Sequence, residues 1–460
     1  MPESRNSQGQ VIWERAFALA FGAWLAVALL KLGSPVILAD KSSSPQDIIE
    51  VLFAIWPIEW GYGLLVPVVL LGLRVARWEM PRPMWLLLLP AAWFGWQMFA
   101  ALQSVEPALT RATVAHFVAC VVAFYLGLFA LGPLREMRWF WGALLGGFTL
   151  VLLVGWHQHF IGLEETRRFF FQQPNWRDYP PEFLRKISSN RIYATLFYPN
   201  ALAGVLLLLT PPWLCAVWQR SHRFVPATRW AISGAAALLP AACLMWSGSK
   251  AGWLIFVAVA MLGLWHTRLS PRTKGIVLVT VLALSLGGFA ARYAGYFAKG
   301  ATSVGARTDY WRAAAMLTSE HPWLGSGPGT FWIGYKRLKL PEAEMTRLAH
   351  NDYLQQACDS GVLGFLLYAT FIVGSIICHY RKWRPTAMSR AFVVWLGVVA
   401  LAAQGLVEFG LYIPALAWPF FALLGWLWGA QPEAASMPRA EPRPLEWRDP
   451  ARTADRRRPV

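Results

Sequence analysis

Four short stretches of the chain carry side chains that could hold an anion or accept a proton. Cations stand in three of them, at Arg191, Lys250, Arg307 and Arg312. A guanidinium can grip a phosphate through two parallel hydrogen bonds, and an ammonium supplies a point charge. Lys250 follows a Ser-Gly-Ser turn and begins a predicted helix, where free backbone N–H groups also favour an anion. Together these residues suit a diphosphate.

The fourth stretch begins with His350 and is the place where a proton could be moved. Asn351 or Asp352 is a good N-cap for the helix predicted to follow, which puts His350 just before a helix N-terminus. The helix dipole there disfavours an imidazolium, so we expect a neutral ring that can accept a proton. Asn200, which follows Pro199 inside an apolar run, is expected to hydrogen-bond another helix or a ligand. His350 is the candidate base, with Asn200 and Asn351 as supporting residues.

One reaction joins these parts, the attack of an acceptor hydroxyl on a sugar carbon that is bonded to a lipid pyrophosphate. His350 takes the hydroxyl proton, and the cations neutralise the charge that develops on the leaving diphosphate. The loop 325–330 lacks the Gly-Lys-Ser/Thr ending of a nucleotide P-loop, and no acidic metal cluster is apparent in the sequence. The five cysteines form no CxxC pair, which argues against a zinc site or a disulfide framework. We therefore predict no metal and no cofactor.

Each residue also has a plainer structural interpretation. Arg191 could contact lipid phosphate, and Lys250 could extend from a capped turn to the membrane surface. Arg307 and Arg312 could lie on an amphipathic surface helix. A lone histidine is most often structural. The chemical interpretation requires the four stretches to meet on one side of the membrane.

The composition predicts that membrane helices position these residues. Hydrophobic residues make up 56% of the 460 residues, charged residues make up 15%, and the mean hydropathy is +0.40. Soluble domains have about 45–50% apolar and about 25% charged residues, so the composition argues against a soluble enzyme and against a disordered chain. The 27 tryptophans fit many crossings of the membrane interface. The net charge of +17 then concerns membrane orientation, and no nucleic-acid partner is predicted.

The apolar runs predict an all-α polytopic membrane protein with about twelve transmembrane helices. The predicted spans are 15–34, 54–73, 84–101, 112–131, 139–160, 194–218, 230–246, 251–267, 275–292, 361–379, 391–408 and 412–429. Residues 1–430 form the membrane domain in this interpretation, with long outer loops at about 161–193 and 293–360. The tail 431–460 is rich in Pro, Arg, Ala and Glu and is predicted to be disordered.

Basic residues set the predicted orientation. Every even-numbered connection is short and basic, as in the run Arg220, Arg223 and Arg229. The positive-inside rule then places these connections and both termini in the cytoplasm, and the four chemical stretches on the periplasmic or outer face. Six ionisable residues near the outer ends of predicted helices suggest a polar cavity on that side. They are Lys31, Glu59, His116, His157, His159 and Glu408.

The order of these motifs resembles that of the bacterial O-antigen ligase/polymerase superfamily. The resemblance rests on Arg191 before Tyr-Pro-Asn-Ala-Leu-Ala, on Ser-Gly-Ser-Lys-Ala-Gly-Trp at 247–253, on Gly-Ala-Arg-Thr-Asp-Tyr-Trp at 305–311, on His-Pro-Trp-Leu-Gly-Ser-Gly-Pro-Gly-Thr-Phe at 321–331 and on His-Asn-Asp-Tyr-Leu-Gln at 350–355. The ordered match spans roughly 190–365. At the position of Lys250 the superfamily is expected to have Arg. This chain therefore keeps the positive charge but loses the forked pair of N–H donors of a guanidinium.

The resemblance implies a GT-C-type membrane glycosyltransferase of the bacterial inner membrane. Such a protein moves a glycan from undecaprenyl pyrophosphate to a hydroxyl acceptor on the periplasmic side, with inversion and without a metal. By resemblance, Arg191 and Arg307 would hold the pyrophosphate and His350 would activate the acceptor.

The sequence is compatible with several hydroxyl acceptors. The leading hypothesis is O-antigen ligation to lipid A–core. A polysaccharide polymerase, whose acceptor is another lipid-linked glycan, and a protein O-oligosaccharyltransferase share the donor chemistry. The alternative from a different class is a flippase or transporter of lipid-linked sugar.

Overall fold

The computed structural model describes residues 2–41, 44–267, 269–298, 302–341, 343–383 and 389–430. All regular secondary structure in these ranges is helical. The tail 431–460, which the sequence predicts to be disordered, lies outside the described residues.

The α-helices are numbered in chain order. They are α1 (Pro2–Lys31), α2 (Ile48–Phe53), α3 (Ile58–Val75), α4 (Met84–Ala101), α5 (Pro107–Tyr125), α6 (Arg138–His157), α7 (Leu163–Phe171), α8 (Pro181–Ile187), α9 (Pro199–Arg220), α10 (Pro226–Ser247), α11 (Lys250–Trp265), α12 (Pro271–Ala298), α13 (Thr302–Glu320), α14 (Phe331–Leu338), α15 (Asp352–Trp383), α16 (Arg390–Gln404) and α17 (Pro414–Gly429). A π-helical segment, Leu126–Leu131, extends α5, and a second, Gln158–Gly162, joins α6 to α7.

Nine helical segments within the described ranges are long and apolar enough to cross a membrane. Three shorter apolar helices, α11, α16 and α17, coincide with the remaining predicted spans. At 1.5 Å per residue, a helix of 16 residues reaches roughly 24 Å, somewhat less than a hydrocarbon core of about 30 Å. The predicted all-α polytopic membrane architecture is confirmed.

Helix α15 begins at Asp352, directly after the predicted N-cap Asn351, and so extends the membrane span that the sequence predicts at 361–379. The helix is interrupted at Ser360 and Gly361, whose backbone angles are not helical, and Gly361 has a φ of +74°. A Cβ at Gly361 would lie 2.1 Å from the carbonyl oxygen of Trp323. The interruption lets the loop before α14 approach the helix, and it separates a polar first part of α15 from the apolar part that the sequence predicts.

Helix α17 lies at the centre of the bundle. Its sequence is apolar on every side, and every residue from Pro414 to Trp428 is buried. A helix of this kind has to be covered all round, and α17 packs against α1, α9, α16 and α5 with its π-helical extension. Gly425 allows the closest approach, because a Cβ there would lie 1.9 Å from the Phe124 carbonyl oxygen.

We expect Gly425→Ala to lower the free energy of unfolding by about 1–3 kcal/mol, since two packed backbones must separate to admit the methyl group. The gain in helix propensity, about 1 kcal/mol, is smaller than the upper part of that cost. Gly142→Ala in α6 is the matched control, because a Cβ at Gly142 meets nothing within 4 Å. Thermal unfolding of the detergent-solubilised protein would measure both changes, and equal melting temperatures for the two variants would contradict this view of the core.

One end of the bundle gathers the segments that carry the candidate chemistry. Helix α9 begins there at Pro199, the α10–α11 turn occupies 247–250, and α15 begins at Asp352. The connection 405–413 between α16 and α17 lies among them. Helix α13 packs against α15, and its Arg307 reaches that connection.

Candidate active site

Glu408 connects the other residues of the candidate site to one another. Its Oε1 accepts hydrogen bonds from Asn200 Nδ2, at 2.6 Å, and from Arg307 Nη2. Its Oε2 lies 3.3 Å from His350 Nδ1. Burial raises the pKa of the Glu408 carboxyl, but the hydrogen bond and charge of His350 and the charge of Arg307 outweigh it and leave that pKa below its ordinary value. The carboxyl is therefore ionised at neutral pH and can only accept hydrogen bonds.

The connection 405–413 holds Glu408 in place through two anchors. The Asp352 carboxyl group accepts a hydrogen bond from Leu411 N at 3.1 Å, and Asp352 N donates to Gly405 O at 2.7 Å. His116 Nε2 bonds Leu411 O at 2.8 Å, while its Nδ1 accepts from the Trp418 indole at 3.2 Å. Because the indole is a donor only, His116 Nε2 carries the proton and donates to the carbonyl.

Arg191 reaches the cluster from the loop before α9. Its Nε donates to Ser247 O at 2.7 Å, and its Nη2 donates to Asn200 Oδ1 at 2.8 Å. Gly248 packs under this side chain with a φ of +62°, and a Cβ there would lie 3.1 Å from Arg191 Nε. Burial lowers the pKa of Arg191, the charge of Glu408 acts in the opposite direction, and the charge of Arg307 lowers it further. Three of the five guanidinium N–H groups remain without a partner among the described residues.

Arg307 reaches the cluster from α13. Its Nε donates to Val407 O at 2.9 Å, its Nη1 donates to Ser303 O at 3.1 Å, and its Nη2 bonds Glu408. The side chain is 19% exposed. Three of its five N–H groups are thus used to hold the guanidinium, and two remain for a ligand within the part of the chain that the structure describes.

His350 is held by ring contacts as well as by Glu408. Its ring stacks on Tyr310, with centroids 5.5 Å apart, and meets the edge of Phe409 at 4.7 Å. Because Glu408 is an acceptor only, the neutral form of the ring carries its proton on Nδ1 and keeps a lone pair on Nε2. No described residue hydrogen-bonds to Nε2, and the side chain is 25% exposed. The arrangement leaves Nε2 available as the basic nitrogen of the ring.

The backbone of His350 is in an uncommon conformation. Its φ is +51°, in the left-handed region that few residues other than glycine adopt. Asn351 follows as the N-cap of α15, with Oδ1 accepting from Tyr353 N and Leu354 N at 3.0 Å each. The capped helix start thus determines the direction in which the imidazole leaves the chain, and Asn351 serves the backbone rather than a ligand.

Lys250 stands at the start of α11, after the turn whose Ser249 Oγ accepts from Gly252 N. Its ammonium lies over the Tyr293 ring, 5.1 Å from the centroid, and the positive charges of Arg191 and Arg307 act on it. Three cations and one carboxylate give the cluster a net charge of 3 − 1 = +2 before His350 is counted. A cluster with this surplus is suited to an anion with more than one charge.

The structure brings together some of the residues that the sequence singles out and leaves others apart. Arg191, Asn200, Arg307 and His350 are linked through Glu408 by hydrogen bonds. Arg312 is exposed, and within the described ranges it makes no hydrogen bond or ion pair with this cluster. It lies five residues after Arg307 on α13, which turns it by about 140° around the helix.

Glu408 is the residue that the sequence analysis does not assign to the site. The sequence feature that points to Glu408 is its charge near the outer end of a predicted helix. Six residues, Glu408 among them, share this feature. Of the other five, Lys31 bonds the carbonyls of Leu52 and Ala54, and His159 stacks on Trp246 at 3.9 Å. Lys31 and His159 are therefore held by partners other than Glu408.

Comparison with known proteins relates this region to one family. Residues 235–369 match the family described as O-antigen ligase. A stretch of 255 residues is 31% identical to an O-antigen ligase of Pseudomonas aeruginosa, covering 53% of this chain and 58% of that protein. The match to this relative thus takes in less than two thirds of the relative's length. The family match includes Lys250, Arg307 and His350, whereas Arg191 and Glu408 lie outside it.

Proposed function

We propose that this chain, a multi-span membrane protein, is a member of the O-antigen ligase superfamily and transfers a glycan from a lipid-linked diphosphate to a hydroxyl acceptor; its match over residues 235–369 supports the membership. One observation carries the proposal. The Arg307 guanidinium and the His350 imidazole contact the buried carboxylate of Glu408, and the Arg191 guanidinium is linked to it through Asn200, at one end of the membrane helices.

The donor is held through its diphosphate. Arg191 offers three N–H groups and Arg307 offers two, and Lys250 adds a third positive charge nearby. Both guanidiniums are anchored by carbonyl oxygens, so little reorganisation is needed when the ligand binds. Fixed cations of this kind stabilise the negative charge that accumulates on a diphosphate as it leaves.

The acceptor is activated by His350. As the acceptor oxygen forms its bond to the sugar carbon, its proton passes to Nε2, and the bond between that carbon and the diphosphate oxygen breaks with its electron pair on the diphosphate. Glu408 stabilises the imidazolium that results. The imidazolium then returns its proton to water. Attack opposite to the leaving group inverts the sugar carbon, and all the charge in this step is balanced by the chain's own residues.

The proposal also includes the lipid that carries the donor glycan and the side of the membrane on which the site lies. The superfamily resemblance supports undecaprenyl pyrophosphate as the donor carrier. The basic short connections support a cytoplasmic location for both termini and a periplasmic location for the site in a bacterial inner membrane. The activity belongs to the GT-C type in this scheme and requires no metal or cofactor.

For the acceptor we propose lipid A–core, because the relative from Pseudomonas aeruginosa is described as an O-antigen ligase. Polysaccharide polymerisation and protein O-glycosylation use the same donor chemistry. They differ from ligation only in the hydroxyl compound that receives the glycan, so the product distinguishes the three.

The test is a transfer assay with the purified full chain in liposomes and an undecaprenyl-pyrophosphate-linked glycan. Lipid A–core, a second lipid-linked glycan and a Ser/Thr-containing protein are offered as competing acceptors, and mass spectrometry identifies the product. We expect glycosylated lipid A–core, at a rate that EDTA does not change. Movement of the intact lipid across the bilayer without any glycosylated product would favour a transporter and overturn the proposal.

Arg307→Ala is expected to weaken donor binding and slow transfer roughly 10- to 100-fold, since a charge-assisted hydrogen bond contributes about 1.5–3 kcal/mol. Arg312→Ala is the matched control, five residues away on the same helix and outside the cluster. Donor affinity and initial transfer rate are measured for both. Equal losses in the two variants would show that general surface charge, rather than Arg307, holds the diphosphate.

A further inference from the structure

A second cationic cluster lies at the other end of the membrane helices. It surrounds a cavity of about 520 Å³ with four arginines, Arg138, Arg220, Arg223 and Arg390. Asn200 of the candidate site lies in the first turn of α9 and Arg220 ends this helix, so the two sites are separated by roughly 30 Å along it. The cavity is therefore distinct from the site that holds Glu408.

The charge of this cavity is not neutralised by its own walls. None of the described residues that line it is acidic. Arg390 donates to the neutral Gln219 side chain at 3.0 Å, and Arg138 lies 3.6 Å from the exposed Glu136, which is not part of the lining. Arg220 makes no ion pair within the described ranges. Several guanidiniums thus face a shared space with a surplus of positive charge, an arrangement suited to a phosphate.

The inner wall of the cavity is apolar. It is formed by Trp141, Leu145 and Pro212, which belong to the membrane-spanning helices α6 and α9. Trp141 is only 5% exposed, and its indole N–H has no hydrogen-bond partner among the described residues. A buried donor without a partner is uncommon and calls for an acceptor. An oxygen of a ligand in the cavity would supply that acceptor.

We propose that this cavity binds the headgroup of an anionic phospholipid. The arginines bind the phosphate, the Trp141 indole donates to a phosphate or ester oxygen, and the start of an acyl chain lies against Leu145 and Pro212. The apolar wall favours a lipid phosphate over free inorganic phosphate, which has no apolar part to bury. The short basic connections assign this end of the helices to the cytoplasmic leaflet, whose anionic lipids attract arginines.

The test uses the full chain, delipidated in detergent, with phosphatidylglycerol, phosphatidylcholine and inorganic phosphate as separate probes. Native mass spectrometry counts retained lipids, and thermal unfolding measures stabilisation. We expect retained phosphatidylglycerol and a raised Tm, with no such effect from phosphatidylcholine or inorganic phosphate. The double variant Arg220→Ala/Arg223→Ala should bind phosphatidylglycerol at least about tenfold more weakly. Trp141→Phe, which keeps the ring and loses only the N–H, should also weaken binding severalfold.

The control variant is Arg74→Ala/Arg77→Ala, which removes two charges from another connection at the same end of the helices. An equal loss in this control would mean that general electrostatic attraction explains the binding and would overturn the proposed site. Equal retention of phosphatidylglycerol and phosphatidylcholine by the wild-type chain would do the same. Competition by millimolar inorganic phosphate with full stabilisation would identify a site for the free ion and contradict the lipid assignment.

Discussion

Replacement of His350 by alanine is expected to lower the rate of glycan transfer by about 10²- to 10⁴-fold, the usual contribution of a general base. The reason is geometric. Glu408 occupies Nδ1, and Nε2 is the one nitrogen of this ring left to take a proton. Donor binding should change little, because the cations that we propose to bind the diphosphate remain. Rates from initial-velocity assays and donor affinities from titration would separate the two effects.

Two further variants distinguish chemistry from backbone strain at this position. His350→Asn keeps a residue that tolerates a positive φ and removes the base, so it should be as inactive as His350→Ala. His321→Ala, an exposed histidine at the end of α13, should transfer at the wild-type rate. Added imidazole should restore part of the activity of His350→Ala. Wild-type turnover in either His350 variant would remove this residue from the mechanism.

Glu408→Gln is expected to cause a loss of about 10³-fold, close to that of the base itself. The neutral amide can donate an N–H to His350 Nδ1 and so favour the tautomer in which Nε2 carries the proton. It also leaves Arg307 without its counter-charge. Glu408→Asp keeps the charge on a shorter side chain and should retain more activity than Glu408→Gln. The exposed Glu59→Gln is the isosteric control elsewhere on the predicted outer side.

The pH dependence of the melting temperature is an independent test of the charge of Glu408. Because its pKa is lowered in the folded protein, the stabilisation from its ionised form is fully present above the unfolded-state pKa. This stabilisation is lost as the pH falls through the lower folded-state value. Acid should therefore lower the melting temperature of the wild-type chain more than that of Glu408→Gln. Parallel pH profiles for the two proteins would show that Glu408 is not the charged partner of Arg307 and His350.

Residue types and their order were enough to predict much of this molecule. The long apolar runs require membrane helices because a bilayer core leaves no other partner for backbone polar groups. Arg191, Arg307 and His350 stand out as ionisable residues next to such runs, in motifs whose order resembles one superfamily. Asn351 is a good N-cap wherever it stands, since capping is a local interaction between neighbours in the chain.

Only the tertiary structure shows that Glu408 belongs to the cluster. It also shows that Arg312 makes no hydrogen bond or ion pair with the cluster among the described residues. Glu408 meets His350, Arg307 and Asn200 across separations of 58, 101 and 208 residues. No local pattern encodes such distances, because they depend on how α9, α13, α15 and the connection 405–413 pack together. The same holds for the arginine cavity at the far end of α9, whose charges come from the ends of α6, α9 and α16 and from the connection after α9. Helix caps and charged motifs depend on residues that are neighbours in the sequence. The composition of a site depends on which helix ends the tertiary packing brings together.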